Sequence, residues 1–440
     1  MKKVLILILV LAMSLTAFGL TACGGKKEEE EKNNLVVYDL ENKADVEVEI
    51  PGKPSSIFQV VVGSSPIEES FYKYSNGKLT IKKDRISDKH SKDKVIKVVP
   101  KQGDEAIKFR LVIADKIIKT PQDFQAINDN LDGIYVLGAD IDFSTFGNFN
   151  PIGNNAEKRA GDKIGKDFTG ALIGAGHTIS NLSANADDLT DDEIYTFYGD
   201  DGNGIDVPPD SHYDYIRPCY GIFLRNLGLI EGVCFKNCTI KNTYGTIMGV
   251  VCAVNEAEIK NVIVDGGEVL GGPIWLDYNC MIGGVAGING GNAKITNCIS
   301  MVKTLKANAE QGNSLARYFC GKTWGKIENC YACKDGITLQ DLATDDIPKY
   351  NDKGELTDDQ GIIGSATAPE LGAATGFGFT YIATETIAHT QLGSFEGCGV
   401  KTLEELKSAE LYGESFDKTV WSITDGDVPT LKIIYPVAAK

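Results

Sequence analysis

Ile230-Glu231-Gly232-Val233, Ile259-Lys260-Asn261-Val262, Ile295-Thr296-Asn297-Cys298 and Ile327-Glu328-Asn329-Cys330 share one frame. Ile179-Ser180-Asn181-Leu182 fits it too, giving five isoleucines at spacings of 51, 29, 36 and 32 residues. Self-similarity at such a period marks a repeat array. No amphipathic helix of useful length separates the units, so the array is built from strands. If each turn adds about 4.8 Å through strand pairing, equivalent side chains stack into files. The five isoleucines would then form one buried file, with Leu182, Val233, Val262, Cys298 and Cys330 beside it. Asn181, Asn261, Asn297 and Asn329 suit a bend, because asparagine tolerates left-handed backbone. Such an array buries its core only between neighbours and needs both ends capped.

Before the array, Thr120-Pro121-Gln122-Asp123 opens a helix with a hydroxyl cap, proline at the first helical position and an acid in the first turn. Phe124, Ile127 and Leu131 give it an apolar face, fit to cap the first coil. Tyr135–Asp142, Pro151-Ile152-Gly153, Phe168-Thr169-Gly170 and Gly176–Leu182 follow. Together with the closing Trp421-x-Ile423-x-Asp425-Gly426-x-x-Pro429-x-Leu431, residues 117–435 resemble bacterial surface proteins carrying GLUG-type repeats. That resemblance implies an all-β fold, a right-handed parallel β-helix. The Gly-Leu-[Phe/Val]-Gly tetrad itself is absent; Gly221-Ile222-Phe223-Leu224 is nearest.

Upstream, residues 35–116 alternate apolar and polar in short runs such as Val46–Ile50, Lys78–Lys82 and Ile107–Leu111. Phe58–Val62 and Val95–Val99 are further strand candidates, and turn signals separate the runs. The pattern predicts a small antiparallel β-sandwich that looks like an immunoglobulin-like module. Residues 401–440 are expected to supply a C-terminal helix, opened by a capping box at Thr402, and a closing cap.

At the other end, Met1-Lys2-Lys3 precedes the apolar run Val4–Ala12, and Leu20-Thr21-Ala22-Cys23 resembles the bacterial lipobox. Residues 1–22 therefore read as a lipoprotein signal peptide. The resemblance implies a diacylglyceryl thioether on Cys23, which would tie the chain to the outside of the cell membrane. Residues 23–34 form a charged tether.

The chain holds 44 Lys plus Arg against 61 Asp plus Glu, a net charge of −17. So acidic a chain gains nothing from counterion release, and nucleic acid is excluded as a partner. Four histidines, none near another in sequence, exclude the H-E-x-x-H type of zinc motif; His177 reads as structural. Ten cysteines lie between Cys219 and Cys398. Cys298 and Cys330 fall on the apolar file and read as packing thiols, with disulfides the next choice. In Cys330-Tyr331-Ala332-Cys333 the odd separation sends the two thiols to opposite faces of a strand.

Residues 184–218 lengthen one coil and contain ten acids, one base and five aromatics. The plain account is a solvated acidic loop. Asp200, Asp201, Asn203 and Asp206 offer the hard oxygen ligands calcium prefers, without an EF-hand pattern, so calcium is the one candidate cofactor. Tyr195, Tyr198, Tyr213 and Tyr215 offer a stacking platform for a glycan. The first outward position reads Ser180, Glu231, Lys260, Thr296 and Glu328, with no acid ladder, and no catalytic residue is assigned. These observations point to a non-catalytic, adhesin-like surface protein that binds extracellular glycan or protein ligands. The alternatives are a β-helix polysaccharide lyase or glycosidase with carboxylates drawn from inserts, and a structural cell-surface protein.

Overall fold

The alternating runs of the N-terminal region fold as two facing sheets. They comprise β1 (Leu35–Asp39), β2 (Val46–Glu49), β3 (Ile57–Val62), β4 (Ser65–Ile67), β5 (Tyr72–Ser75), β6 (Lys78–Ile81), β7 (Ser91–Pro100) and β8 (Ile107–Ala114). One sheet has the order β1-β8-β7-β3-β4, the other β2-β6-β5. All pairings are antiparallel except β1 with β8. Val60, Leu79, Ile81, Ile96, Val98 and Leu111 lie wholly buried between the layers. The computed structural model describes residues 35–101, 105–153, 167–186, 219–242, 247–271, 280–307, 314–341, 372–373 and 394–434.

The rest is all-β as well, and its strands pair in parallel. The main sheet runs through Lys116–Ile118, Ile134–Leu137, Ala171–Ile173, Leu229–Lys236, Glu258–Asp265, Lys294–Thr296 and Lys326–Glu328. Further parallel sheets stack Thr239–Asn242 on Glu268–Gly271 and Thr304–Ala307, and Phe223–Asn226 on Cys252–Asn255, Ala286–Asn289 and Cys320–Thr323. Helix Pro121–Gln125 lays Phe124 against Phe143, Phe149 and Phe223, with ring centroids 5.9, 5.7 and 6.4 Å apart. Its capping box is complete: Thr120 Oγ1 accepts from the Asp123 N–H at 3.1 Å, and the Asp123 carboxylate accepts from the Thr120 N–H at 3.2 Å.

Register shows which residues stack. One buried file reads Tyr135, Leu172, Ile230, Ile259, Ile295 and Ile327. Ile179 is not part of it; it pairs with Ile141 and Phe235, and Leu172 stands where Ile179 was expected. The turns out of the parallel strands make two left-handed corners of like chemistry. Gly232, Asn261, Asn297, Asn329 and Gly397 occupy one, and Asn181, Asn237 and Gly266 the other, all at φ between 50° and 73°. Asn181 thus serves a bend, but the second one.

A buried polar file runs beside the apolar one. Asn226 Nδ2 donates to Asn255 Oδ1 at 2.8 Å, Asn255 Nδ2 to Asn289 Oδ1 at 2.8 Å, and Asn289 Nδ2 to Thr323 Oγ1 at 2.9 Å. Each amide both gives and receives, so burial leaves little unmet hydrogen-bonding capacity.

Two segments cover outer faces of the main sheet. Val112 and Ala114 of β8, with Leu35 and Val37 of β1, pack on Ile134, Val136, Ala171, Ile173 and Leu229. The C-terminal segment, expected to close the array, runs along its flank. The Leu403 N–H donates to Asp335 Oδ2 at 2.7 Å, Asn297 Nδ2 to the Ser415 carbonyl at 2.9 Å, and the Ile434 N–H to the Ala175 carbonyl at 3.0 Å. Leu406, Tyr412, Phe416, Trp421 and Leu431 thereby bury Ile263, Ile299 and Tyr331.

Candidate recognition surface

The outward positions of the main sheet form two files. One reads Ala171, Leu229, Glu258, Lys294 and Lys326; the other reads Ile173, Glu231, Lys260, Thr296, Glu328 and Glu396. The first members are apolar because β1 and β8 cover them. The later ones are charged except Thr296, and several of those charges pair across neighbouring strands. Lys260 Nζ lies 3.0 Å from Glu231 and 3.7 Å from Glu258, and Lys294 Nζ lies 2.6 Å from Glu328. Glu231 is almost wholly buried and also meets Arg110 of β8, so one carboxylate ties the N-terminal module to the coils. Taking such a carboxylate out of water is costly unless cations surround it, and here two do.

That arrangement bears on chemistry. A lyase of the kind considered above needs unpaired carboxylates gathered for calcium. On this face Glu231, Glu258 and Glu328 each already hold a lysine. Glu396 stacks in register on Glu328 and is the exposed member of that acid pair. Among the described residues, no group of three or more His, Cys, Asp or Glu converges as a metal would require. No helix among them is long and apolar enough to cross a membrane.

The residues singled out from the sequence are placed unequally. Cys23, the calcium candidates Asp200, Asp201, Asn203 and Asp206, and the aromatic candidates Tyr195, Tyr198, Tyr213 and Tyr215 lie outside the described residues. The strands on either side of the insert are described: Ser183–Asn185 pairs in register with Thr239–Lys241, and Cys219–Tyr220 with Ile247–Met248. His177 is buried, with Nδ1 3.0 Å from Asp140 Oδ1, and the same oxygen accepts the Thr178 N–H at 2.9 Å. This orients the ring within a turn.

Cys234, Cys238, Cys252, Cys298, Cys320, Cys330, Cys333 and Cys398 are free thiols. Burial pushes Cys234 and Cys238 up to about 12, and Cys219 and Cys252 rise for the same reason. These thiols stay protonated and behave as small apolar groups. Cys330 faces the core and Cys333 the outer flank.

Other features carried no clear sequence signal. Lys322 is buried beside Trp324, its Nζ 4.7 Å from the ring centroid, and desolvation lowers its pKa to about 8. On the N-terminal module, Val62, Pro66, Ile67, Glu68, Asp84, Arg85 and Lys94 help line a solvent-open cleft of about 330 Å³. At its margin the Arg85 guanidinium sits 3.4 Å from the Phe71 ring centroid, a cation–π contact that holds it flat. No protein-family model matches the chain, and no curated protein matches it.

Proposed function

We propose that residues 117–400 form a right-handed parallel β-helix of the GLUG-like kind, exported and lipid-anchored through Cys23. Its task is non-catalytic recognition of extracellular glycan or protein ligands, in the manner of an adhesin. The observation that carries this reading is the unbroken register on both sides of the longest insert. The strands flanking residues 187–218 stack on the next coil without a slip. An acidic, tyrosine-rich segment is thereby mounted on a stiff frame, as a recognition loop requires. The pairing of Lys260 and Lys294 with Glu231 and Glu328 supports binding over catalysis, because those four side chains are already held by one another.

The test uses the full chain in detergent against a panel of immobilised polysaccharides and extracellular-matrix proteins. Saturable binding that is lost on deleting 187–218 is the expected result. New reducing ends or unsaturated sugar products, abolished by Glu396→Gln, would replace the binding reading with the enzymatic one. Labelling with radioactive fatty acid, lost in Cys23→Ala, checks the anchor separately.

A further inference from the structure

Cys298, Cys330 and Cys398 each follow the left-handed residue of one corner, Asn297, Asn329 and Gly397. Glu328 pairs with Glu396 and Tyr331 with Gly399, so Cys330 and Cys398 stand directly opposite one another. In-register neighbours are about 4.8 Å apart. A disulfide accepts Cα separations between about 4.4 and 6.8 Å. The Cys330 N–H donates to Cys398 Sγ at 3.4 Å, while the Cys330 thiol donates to the Glu328 carbonyl at 3.2 Å. Cys298 and Cys330 are wholly buried, whereas Cys398 is partly open to solvent.

We propose that Cys398 and Cys330 are an oxidisable pair, with Cys398 the attacking thiol and Cys330 the resolving one, forming a staple between the last two described coils. The oxidant is a disulfide, small or protein-borne, of the sort present outside the cytoplasm. The Cys398 thiolate attacks one sulfur of that disulfide, expelling a thiolate and leaving a mixed disulfide on Cys398. Cys330 then gives its proton to solvent and attacks the Cys398 sulfur, expelling the second thiolate. Two protein thiols are oxidised, and one external disulfide is reduced to two thiols. The two thiols differ in the sense this order requires. The hydrogen bond from Cys330 outweighs desolvation and holds Cys398 below the usual thiol range, while burial drives Cys330 above it. The staple joins residues 68 apart in sequence, and it fixes the end of the stack, where a coil has a neighbour on one side only. The inference draws on the export reading only for the source of oxidant, and the test supplies its own.

The full chain, purified under reductant and then treated with oxidised glutathione, is alkylated and mapped by mass spectrometry. The expected product is a Cys330–Cys398 cross-linked peptide lighter by two hydrogens, with Cys298 still alkylated after unfolding. Cys330→Ser should instead retain glutathione on Cys398, and Cys298→Ser should leave the cross-link intact. Wild-type protein that keeps glutathione on Cys398, pairs Cys330 with Cys298, or emerges with both thiols free would overturn the proposal, whether or not the protein binds any glycan.

Discussion

The indole N–H of Trp421 donates to Oδ1 of Asn261 at 3.1 Å, across 160 residues of sequence. The corner asparagine thus does two jobs: its backbone makes the left-handed bend, and its side chain receives the C-terminal segment. Trp421 is buried, its ring 4.8 Å from that of Phe416. We expect Trp421→Ala to cost ~3–5 kcal/mol, as large aromatic deletions in cores do. Trp421→Phe should keep most of the packing and lose about 1 kcal/mol for the hydrogen bond. Urea unfolding followed by circular dichroism measures both.

The amide file predicts unequal costs along its length. Asn255→Ala leaves the Asn226 donor and the Asn289 acceptor unmet in the core, a loss of roughly 2–4 kcal/mol. Thr323→Val removes the last acceptor and the hydroxyl donor to the Gly325 carbonyl, but Asn289 Nδ2 keeps the Lys326 carbonyl at 3.4 Å, so roughly 1–2 kcal/mol is expected. Equal losses in denaturant titrations would mean the amides act independently.

Corner geometry makes a third prediction. Asn329 holds φ at 50°, a conformation that costs a residue with a Cβ about 1–2 kcal/mol unless it is glycine, asparagine or aspartate. Asn329→Ala should therefore lower the thermal midpoint, and Asn329→Gly should do so much less, since Gly232 and Gly397 already serve at the equivalent positions.

Asp123 gives a pH dependence with a definite sign. Desolvation raises its pKa, but hydrogen bonds from Lys116, Thr120 and the Lys119 N–H prevail and hold the carboxyl below its ordinary value. A group lowered on folding contributes stability above its unfolded pKa and loses it as pH falls through the folded one. Asp123→Asn should cost stability near neutrality and flatten the decline below the usual carboxylate range. Melting curves recorded from about pH 6 down to about pH 2 would reveal a parallel offset instead if the ion pair with Lys116 did not matter.

Much of this architecture was legible in four residues at a time. Ile230, Ile259, Ile295 and Ile327 stack as their spacing implied, and the hydroxyl cap at Thr120 and the capping box at Thr402 form as written. The displacement of Ile179 has a physical reason. Ile179-Ser180-Asn181-Leu182 and Ile259-Lys260-Asn261-Val262 both describe an apolar residue, a polar one, a left-handed bend and an apolar return. Two corners of one coil obey the same steric rule, so a linear pattern does not say which corner it is.

The amide file was hidden for another reason. Asn226, Asn255 and Thr323 each stand four residues before a file isoleucine, but Asn289 stands six before Ile295 because a small loop, Gly290–Ala293, intervenes. Pairing of Glu231 with Arg110 left no trace at all in sequence, since its partners come from different sheets and stand far apart along the chain. Nothing local to either residue records the other.

The hydrogen bond from Ile434 to Ala175 has a consequence for how the chain is made. The segment that shields the flank leaves the ribosome after every strand it covers, and Ile434 docks against Ala175, synthesised some 250 residues sooner, a lag of about 12–50 s at ordinary elongation rates. From their own synthesis until that segment arrives, Ile263, Ile299 and Tyr331 are bare hydrocarbon on the flank. An unfinished copy is therefore sticky, and this flank is covered in a single late wrapping step rather than strand by strand.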